Sequence, residues 1–188
     1  MKYYNTKMID NPNISVLDND SVIQHLENNV IPSISLPNQE GNLLRLDRSD
    51  TFRMILYFFP MTGRPDKPLP DNWNNIPGAK GCTKENCYFR DNYDEIICLN
   101  ALPIGISTQT VDYNKEMTSR LNIYYDVLSD EKLELQNLLK LPIFLINKKE
   151  YLKRLTLIVE KNIIKKVFYP INDLDKHIDD VLKWLKIN

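Results

Sequence analysis

The chain has 188 residues, 43% of them hydrophobic and 26% charged, with a net charge of -1. That length supports one well-cored domain over residues 1–188, and the composition excludes a disordered tail or a fibre. Near-neutrality gives no field to draw nucleic acid or an anionic membrane, no stretch approaches the roughly 20 apolar residues of a membrane span, and no apolar secretion signal follows Met1, so a cytosolic protein is expected.

Residues 1–30 read as an added arm, with a short helix over Ser21–Asn29. Ile34 and Leu36 on one side, and Leu43, Leu44 and Leu46 on the other, surround Asn38-Gln39-Glu40-Gly41-Asn42, the pattern of a hairpin. Phe52–Phe59 is a nearly continuous apolar run stopped by Pro60, as expected of a central strand covered on both faces. From Pro60 to Gly81, prolines at 60, 65, 68, 70 and 77 and glycines at 63, 78 and 81 predict a long Pro-rich loop, with Trp73 as its conspicuous side chain. Cys82–Cys98 contains neither Pro nor Gly and repeats Phe89, Tyr93, Ile96 and Ile97 at helical spacing, which predicts one helix starting close to Cys82. A strand over Leu102–Ser107, helices over Tyr113–Leu121 and Leu133–Leu139 and an extended Ile143–Ile146 follow. Lysine runs at Asn147–Lys149 and Lys165–Lys166 read as solvated turns or strand edges. Leu155–Val159 and Ile163–Phe168 flank Glu160-Lys161-Asn162 as an antiparallel hairpin, and Leu174, Ile178, Val181, Leu182 and Leu185 mark a closing amphipathic helix. The order is α/β and fits a thioredoxin-like fold, a central mixed β-sheet flanked by helices.

Chemistry concentrates in Pro77-Gly78-Ala79-Lys80-Gly81-Cys82-Thr83-Lys84-Glu85-Asn86-Cys87. A cysteine at a helix start faces unpaired N–H groups and the positive helix end, both of which favour the thiolate, the nucleophilic form. Cys87 lies five residues on, about 8 to 9 Å away by Cα on a regular helix, beyond the roughly 7 Å a disulfide tolerates. The pair can therefore join only if the helix unwinds locally, and a sulfenic acid on Cys82 could then be captured by Cys87. A zinc site lacks ligands: the two cysteines supply only a pair, Cys98 looks buried, and His25 and His177 have no ligand neighbour, His177 reading as a surface or helix-edge residue. No metal or organic cofactor is expected. The thioredoxin-type Cys-x-x-Cys pair is absent.

The run Gly81-Cys82-Thr83-Lys84-Glu85-Asn86-Cys87-Tyr88-Phe89-Arg90-Asp91 resembles the active-site segment of the Q-type, bacterioferritin-comigratory peroxiredoxins. The likeness extends to Tyr57–Pro60, Gly105–Ser107, Leu128–Asp130 and Arg154–Val159, covering about residues 31 to 170. It implies a thiol peroxidase acting on hydrogen peroxide or organic hydroperoxides, with Cys82 peroxidatic, Cys87 resolving through an intramolecular disulfide, and Arg154 steadying the thiolate and polarising the O–O bond. It also implies thioredoxin or a similar dithiol protein as reductant, and leaves monomer or homodimer open. Two departures stand out. Ala79 occupies the place of the family's Thr or Ser three residues before the cysteine, and Pro60 lies far upstream of Cys82, across the Pro-rich loop. Thr62, folded back in space, is the expected source of the missing hydroxyl hydrogen bond, with Thr83 as an alternative. Two rival readings remain: a disulfide oxidoreductase without peroxidase activity, and a redox-sensing module that binds a partner through the Trp73 loop.

Overall fold

The computed structural model describes residues 6–8, 14–17, 23, 25–48 and 52–188. The strands are β1 (Thr6–Met8), β2 (Ile14–Leu17), β3 (Ser35–Pro37), β4 (Leu43–Arg45), β5 (Arg53–Phe58), β6 (Ala101–Ser107), β7 (Val127–Ser129), β8 (Ile143–Ile146), β9 (Lys149–Leu152), β10 (Leu155–Glu160) and β11 (Ile163–Phe168). The helices are α1 (Cys82–Asp91), α2 (Tyr93–Cys98), α3 (Val111–Leu121), α4 (Glu134–Leu139) and α5 (Leu174–Ile187). The central sheet runs β11-β10-β5-β6-β7; β5, β6 and β7 are parallel, β10 is antiparallel to its neighbours β5 and β11, and β11 therefore runs in the same direction as β5. This is the expected thioredoxin-like arrangement.

The apolar run of β5 has no polar face because its alternate side chains enter two different cores. Met54, Leu56 and Phe58 join Leu36, Leu135, Leu139 and Leu157 on one face, while Ile55, Tyr57 and Phe59 meet Phe89, Ile96, Val181 and Leu185 on the other. Helices α1, α2 and α5 cover the second face, and Cys82 belongs to that core. In α5, Ile178, Val181, Leu182 and Leu185 form the buried stripe, and the Asp173 carboxylate caps the helix by accepting from the N–H groups of Asp175 and Lys176. The hairpin turn of β10–β11 is made by Lys161 and Asn162, both at positive φ.

Several expectations need correcting. The helix expected over Cys82–Cys98 is two helices: the Asn92 side chain donates to the Tyr88 carbonyl at 2.9 Å and its backbone departs from helical geometry, so α2 sets off anew. Of the helix expected over Ser21–Asn29, residues 25–28 form a turn, and residues 21, 22 and 24 lie outside the described ones. Strands β7 and β9 were not foreseen. Nor was a second, four-stranded antiparallel sheet of order β1-β2-β8-β9, in which the N-terminal arm pairs with Ile143–Ile146.

That second sheet anchors the Pro-rich loop. Residues 65–69 are exposed, but Trp73, Ile76 and Ala79, three residues apart, turn inward and pack with Phe144, Ile146 and Tyr151. Trp73 sits edge-on to Tyr151 with centroids 5.2 Å apart and is only 3% exposed. A side chain so enclosed anchors the loop to the second sheet, so the surface that the loop presents includes residues 65–69 and not Trp73 itself.

Candidate active site

Cys82 opens α1, directly after Gly81 at φ 94°, a left-handed conformation that favours glycine. A Cβ on Gly81 would also stand 2.7 Å from Leu174 Cδ1, so both the turn and the seating of α1 on α5 require its absence. Cys82 is 2% exposed. In its thiol form the sulfur points at the Ala79 carbonyl, 3.5 Å away, and the nearby backbone of Met61 favours its ionised form. Arg154 Nη2 donates to it at 3.3 Å. Arg154 lies between β9 and β10, where the chain leaves the second sheet for the central one, and is itself 4% exposed. Its Nη2 also donates to the carbonyls of Lys80 at 2.9 Å and Gly78 at 3.3 Å, tying the end of the loop to the thiol. Its Nη1 is ion-paired with Glu85.

The electrostatics differ from the sequence expectation of a depressed thiol. Burial raises Cys82 above the ordinary thiol value and Glu85 adds to the rise, against the pull of Arg154 and the Met61 backbone. Burial likewise pushes the Glu85 carboxyl up to about 7, opposed by Arg154.

Thr62 lies next to the segment that touches the sulfur, but its hydroxyl donates to Gln109 Oε1 at 3.3 Å, and its N–H reaches the same oxygen at 3.1 Å. The Thr62 carbonyl accepts from Gln109 Nε2 and the Tyr113 hydroxyl. The expected hydroxyl bond from Thr62 to Cys82 is not formed; Thr62 is instead tied to Gln109 and Tyr113, which fixes the backbone next to Met61. Thr83 is exposed on α1. Cys87 is half-buried, within electrostatic reach of Tyr57, Tyr125 and Arg90, and all three cysteines are free thiols. Cys98, expected to be buried, is exposed at the end of α2. His177 is not a surface residue: its Nε2 lies 2.9 Å from Thr156 Oγ1, and its ring packs edge-on against Phe89 and Phe168.

Sequence reasoning overlooked Glu85 and Asn86. They stand three and four residues after Cys82, with Phe89 at seven, so all four share the buried face of α1. Asn86 Nδ2 donates to the Cys82 carbonyl at 2.8 Å, and Asn86 Oδ1 accepts from the Tyr57 hydroxyl at 2.7 Å. The Tyr125 hydroxyl, 2.9 Å from that of Tyr57 and 3.0 Å from the Asn86 carbonyl, completes a buried polar cluster beneath the thiol. Gly105, paired with Tyr57 across β5 and β6, makes room for it: a Cβ there would lie 2.7 Å from the Tyr57 hydroxyl.

The peroxiredoxin bcp1 of Schizosaccharomyces pombe is 33% identical over 117 residues, 62% of this chain and 51% of that protein. The chloroplastic peroxiredoxin Q of Arabidopsis thaliana is 30% identical over 156 residues, 82% of this chain and 64% of that one. The chain therefore spans about half the length of the first relative and under two thirds of the second. Among solved structures, peroxidoxin BcpB from Mycobacterium tuberculosis superposes with a TM-score of 0.71 at 24% identity, covering 86% of this chain and 96% of that one. Peroxiredoxin Q of Xanthomonas campestris gives 0.67 at 18% identity, covering 82% and 90%; at such identities these two likenesses establish the fold. The AhpC/TSA family matches residues 74–167, half of the chain and the stretch that holds Cys82, Cys87 and Arg154, and the chain belongs to that family.

Proposed function

We propose that the chain is a thiol-dependent peroxidase, one domain over residues 1–188 with an N-terminal arm to residue 30 and a Pro-rich loop over 60–81. The Cys82 thiolate attacks the terminal oxygen of hydrogen peroxide or an organic hydroperoxide. The S–O bond forms as the O–O bond breaks, and water or an alcohol leaves once the departing oxygen is protonated. Cys82 is left as a sulfenic acid. Local unwinding of α1 then brings the Cys87 thiolate to the sulfenic sulfur, water leaves, and a Cys82–Cys87 disulfide results. A dithiol protein of the thioredoxin kind restores both thiols; no metal or organic cofactor takes part.

The observation that carries this reading is the Arg154 guanidinium, 3.3 Å from Cys82 Sγ at the head of α1. It is a permanent cation with forked donors, placed to stabilise the thiolate and the charge developing on the departing oxygen. The names of the relatives, peroxiredoxins in each case, support the same chemistry. No helix among the described residues is long and apolar enough to cross a membrane, and we place the protein in the cytoplasm, where its thiols stay reduced between turnovers.

Rapid mixing of the reduced protein with hydrogen peroxide tests the assignment. Fast oxidation lost in Cys82→Ser, and a trapped sulfenic acid in Cys87→Ser, are the expected results. Oxidation no faster than that of free cysteine would remove the peroxidase and leave the disulfide oxidoreductase.

A further inference from the structure

Arg154 faces two acidic groups with one charge. Its Nη1 holds Glu85 Oε2 and its Nη2 holds Cys82 Sγ, and all three residues are buried. Glu85 Oε1 is also buried and finds no hydrogen-bond partner among the described residues. The other titratable groups around the pocket do not resolve the imbalance. Tyr57 from β5 and Tyr125 from the segment before β7 are kept neutral by burial, which pushes both phenols up. His177 from α5 is kept neutral by burial and by repulsion from Arg154. Further along α1, Arg90 is engaged by Asp91 and the Leu121 carbonyl, and Cys87 lies on its side of the helix. The loop contributes backbone groups of Met61, Gly78 and Lys80.

A second buried anion beside one cation is uncompensated, and a carboxylate oxygen without a donor is costly in itself, whereas a carboxylic acid carries its own proton there. We infer that Cys82 and Glu85 hold one proton between them. The thiol ionises by passing its proton to the carboxylate: the S–H bond breaks with its electron pair left on sulfur, an O–H bond forms on Glu85, and Arg154 then balances the thiolate. Charge inside the pocket is conserved, so the reactive sulfur forms without expelling a proton to solvent. Glu85 is in this sense a positioning residue for the proton, acting on the peroxide through Cys82. The inference deepens the peroxidase reading and rests on Cys82 as its reactive thiol.

Coupled acids betray each other in titration. In the reduced full chain carrying Cys87→Ser and Cys98→Ser, the ultraviolet absorbance of the thiolate reports Cys82 alone. Adding Glu85→Gln removes the competing anion and should raise the acid constant of Cys82 about tenfold or more, one pH unit or beyond. Reciprocally, the infrared C=O band of a protonated carboxylic acid should persist to higher pH with Cys82 present than in Cys82→Ser, a comparison that keeps Glu85 native should the Gln variant fail to fold. Coincident thiolate titrations with and without Glu85→Gln, or a carboxylic acid band indifferent to Cys82→Ser, would overturn the shared proton. Those outcomes together with rapid peroxide oxidation defeat this inference alone; absence of oxidation in the native chain defeats the peroxidase instead.

Discussion

Two buried groups packed around Arg154 make the stability of the fold depend on pH in opposite directions. His177, hydrogen-bonded to Thr156 and enclosed by Phe89 and Phe168, is driven down to about 4 by burial and then by Arg154. Glu85 is driven up to about 7 by burial. For His177 the unfolded chain binds a proton between about pH 6.5 and 4 that the native state refuses, so stability falls as pH falls through that window. For Glu85 the native state holds a proton between about pH 4.5 and 7 that the unfolded chain has released, so stability falls as pH rises. Each span corresponds to about 3 kcal/mol. The two effects nearly cancel over the range they share, and single substitutions should unmask them. Urea unfolding under reducing conditions, followed by Trp fluorescence across that range, measures the gap between wild type and variant. Against His177→Gln, the wild type should lose about 3 kcal/mol of relative stability on acidification. Against Glu85→Gln it should gain a similar amount. Gaps constant with pH in both comparisons would refute the claim that these groups are buried in the forms assigned.

Arg154→Lys keeps the charge but loses the fork that reaches Glu85, two carbonyls and the sulfur at once; oxidation of Cys82 by peroxide, read by stopped flow, should slow by about 100-fold, and a rate within twofold of the wild type would contradict the role given to the guanidinium. Asn86→Ala cuts the bonds to the Cys82 carbonyl and the Tyr57 hydroxyl, should cost about 1 to 3 kcal/mol in urea unfolding, and should speed disulfide formation relative to sulfenic acid formation. An unchanged ratio of the two rates would show that opening of α1 does not limit resolution. Trp73→Ala removes the packing of the loop on Phe144 and Tyr151 and should destabilise by about 3 to 5 kcal/mol, with faster proteolytic cutting in residues 64–72; equal cutting rates would mean that the loop is held elsewhere.

What could be read in the sequence followed from patterns that a single segment carries by itself. The apolar run of β5, the hairpin around Asn38–Asn42, the α5 stripe and the cysteine after a glycine are local signals, and each reappears in the structure. Arg154 was reached through its likeness to a family strand, because nothing local to it announces a contact with residue 82. The second sheet was illegible for a related reason. Ile143–Ile146 is a short apolar run whose partners, β2 and β9, are short and weakly patterned, so the pairing is decided by tertiary packing. Trp73 is a further case: nothing local to an aromatic among prolines says whether it is buried, and its inward face, shared with residues 76 and 79, is set by the packing of the second sheet. Glu85 and Asn86 were legible in principle, since spacing of three and four from Cys82 puts them on its face. A polar residue there reads as a solvated position until the facing groups, Arg154, Tyr57 and Tyr125, are known.

The buried face of α1 also explains how one helix can be both rigid and openable in the proposed cycle. Attack requires the sulfur to be held in line with the peroxide, and Arg154, the Asn86–Tyr57–Tyr125 cluster and Phe89 all hold the first turns closed. Resolution requires the same turns to unwind, because a regular helix keeps the two cysteines farther apart than a disulfide allows. Oxidation itself changes the balance. The bond from Arg154 to a thiolate is charge-assisted and about twice as strong as a neutral one, whereas a sulfenic acid at ordinary pH offers the guanidinium no charge. With the sulfur neutralised, Arg154 is left to Glu85, and the attraction between residue 82 and Arg154 that resists unwinding is weakened. The helix is therefore held most firmly before the peroxide reacts and least firmly afterwards, so the order of the two steps follows from the charge on one sulfur atom.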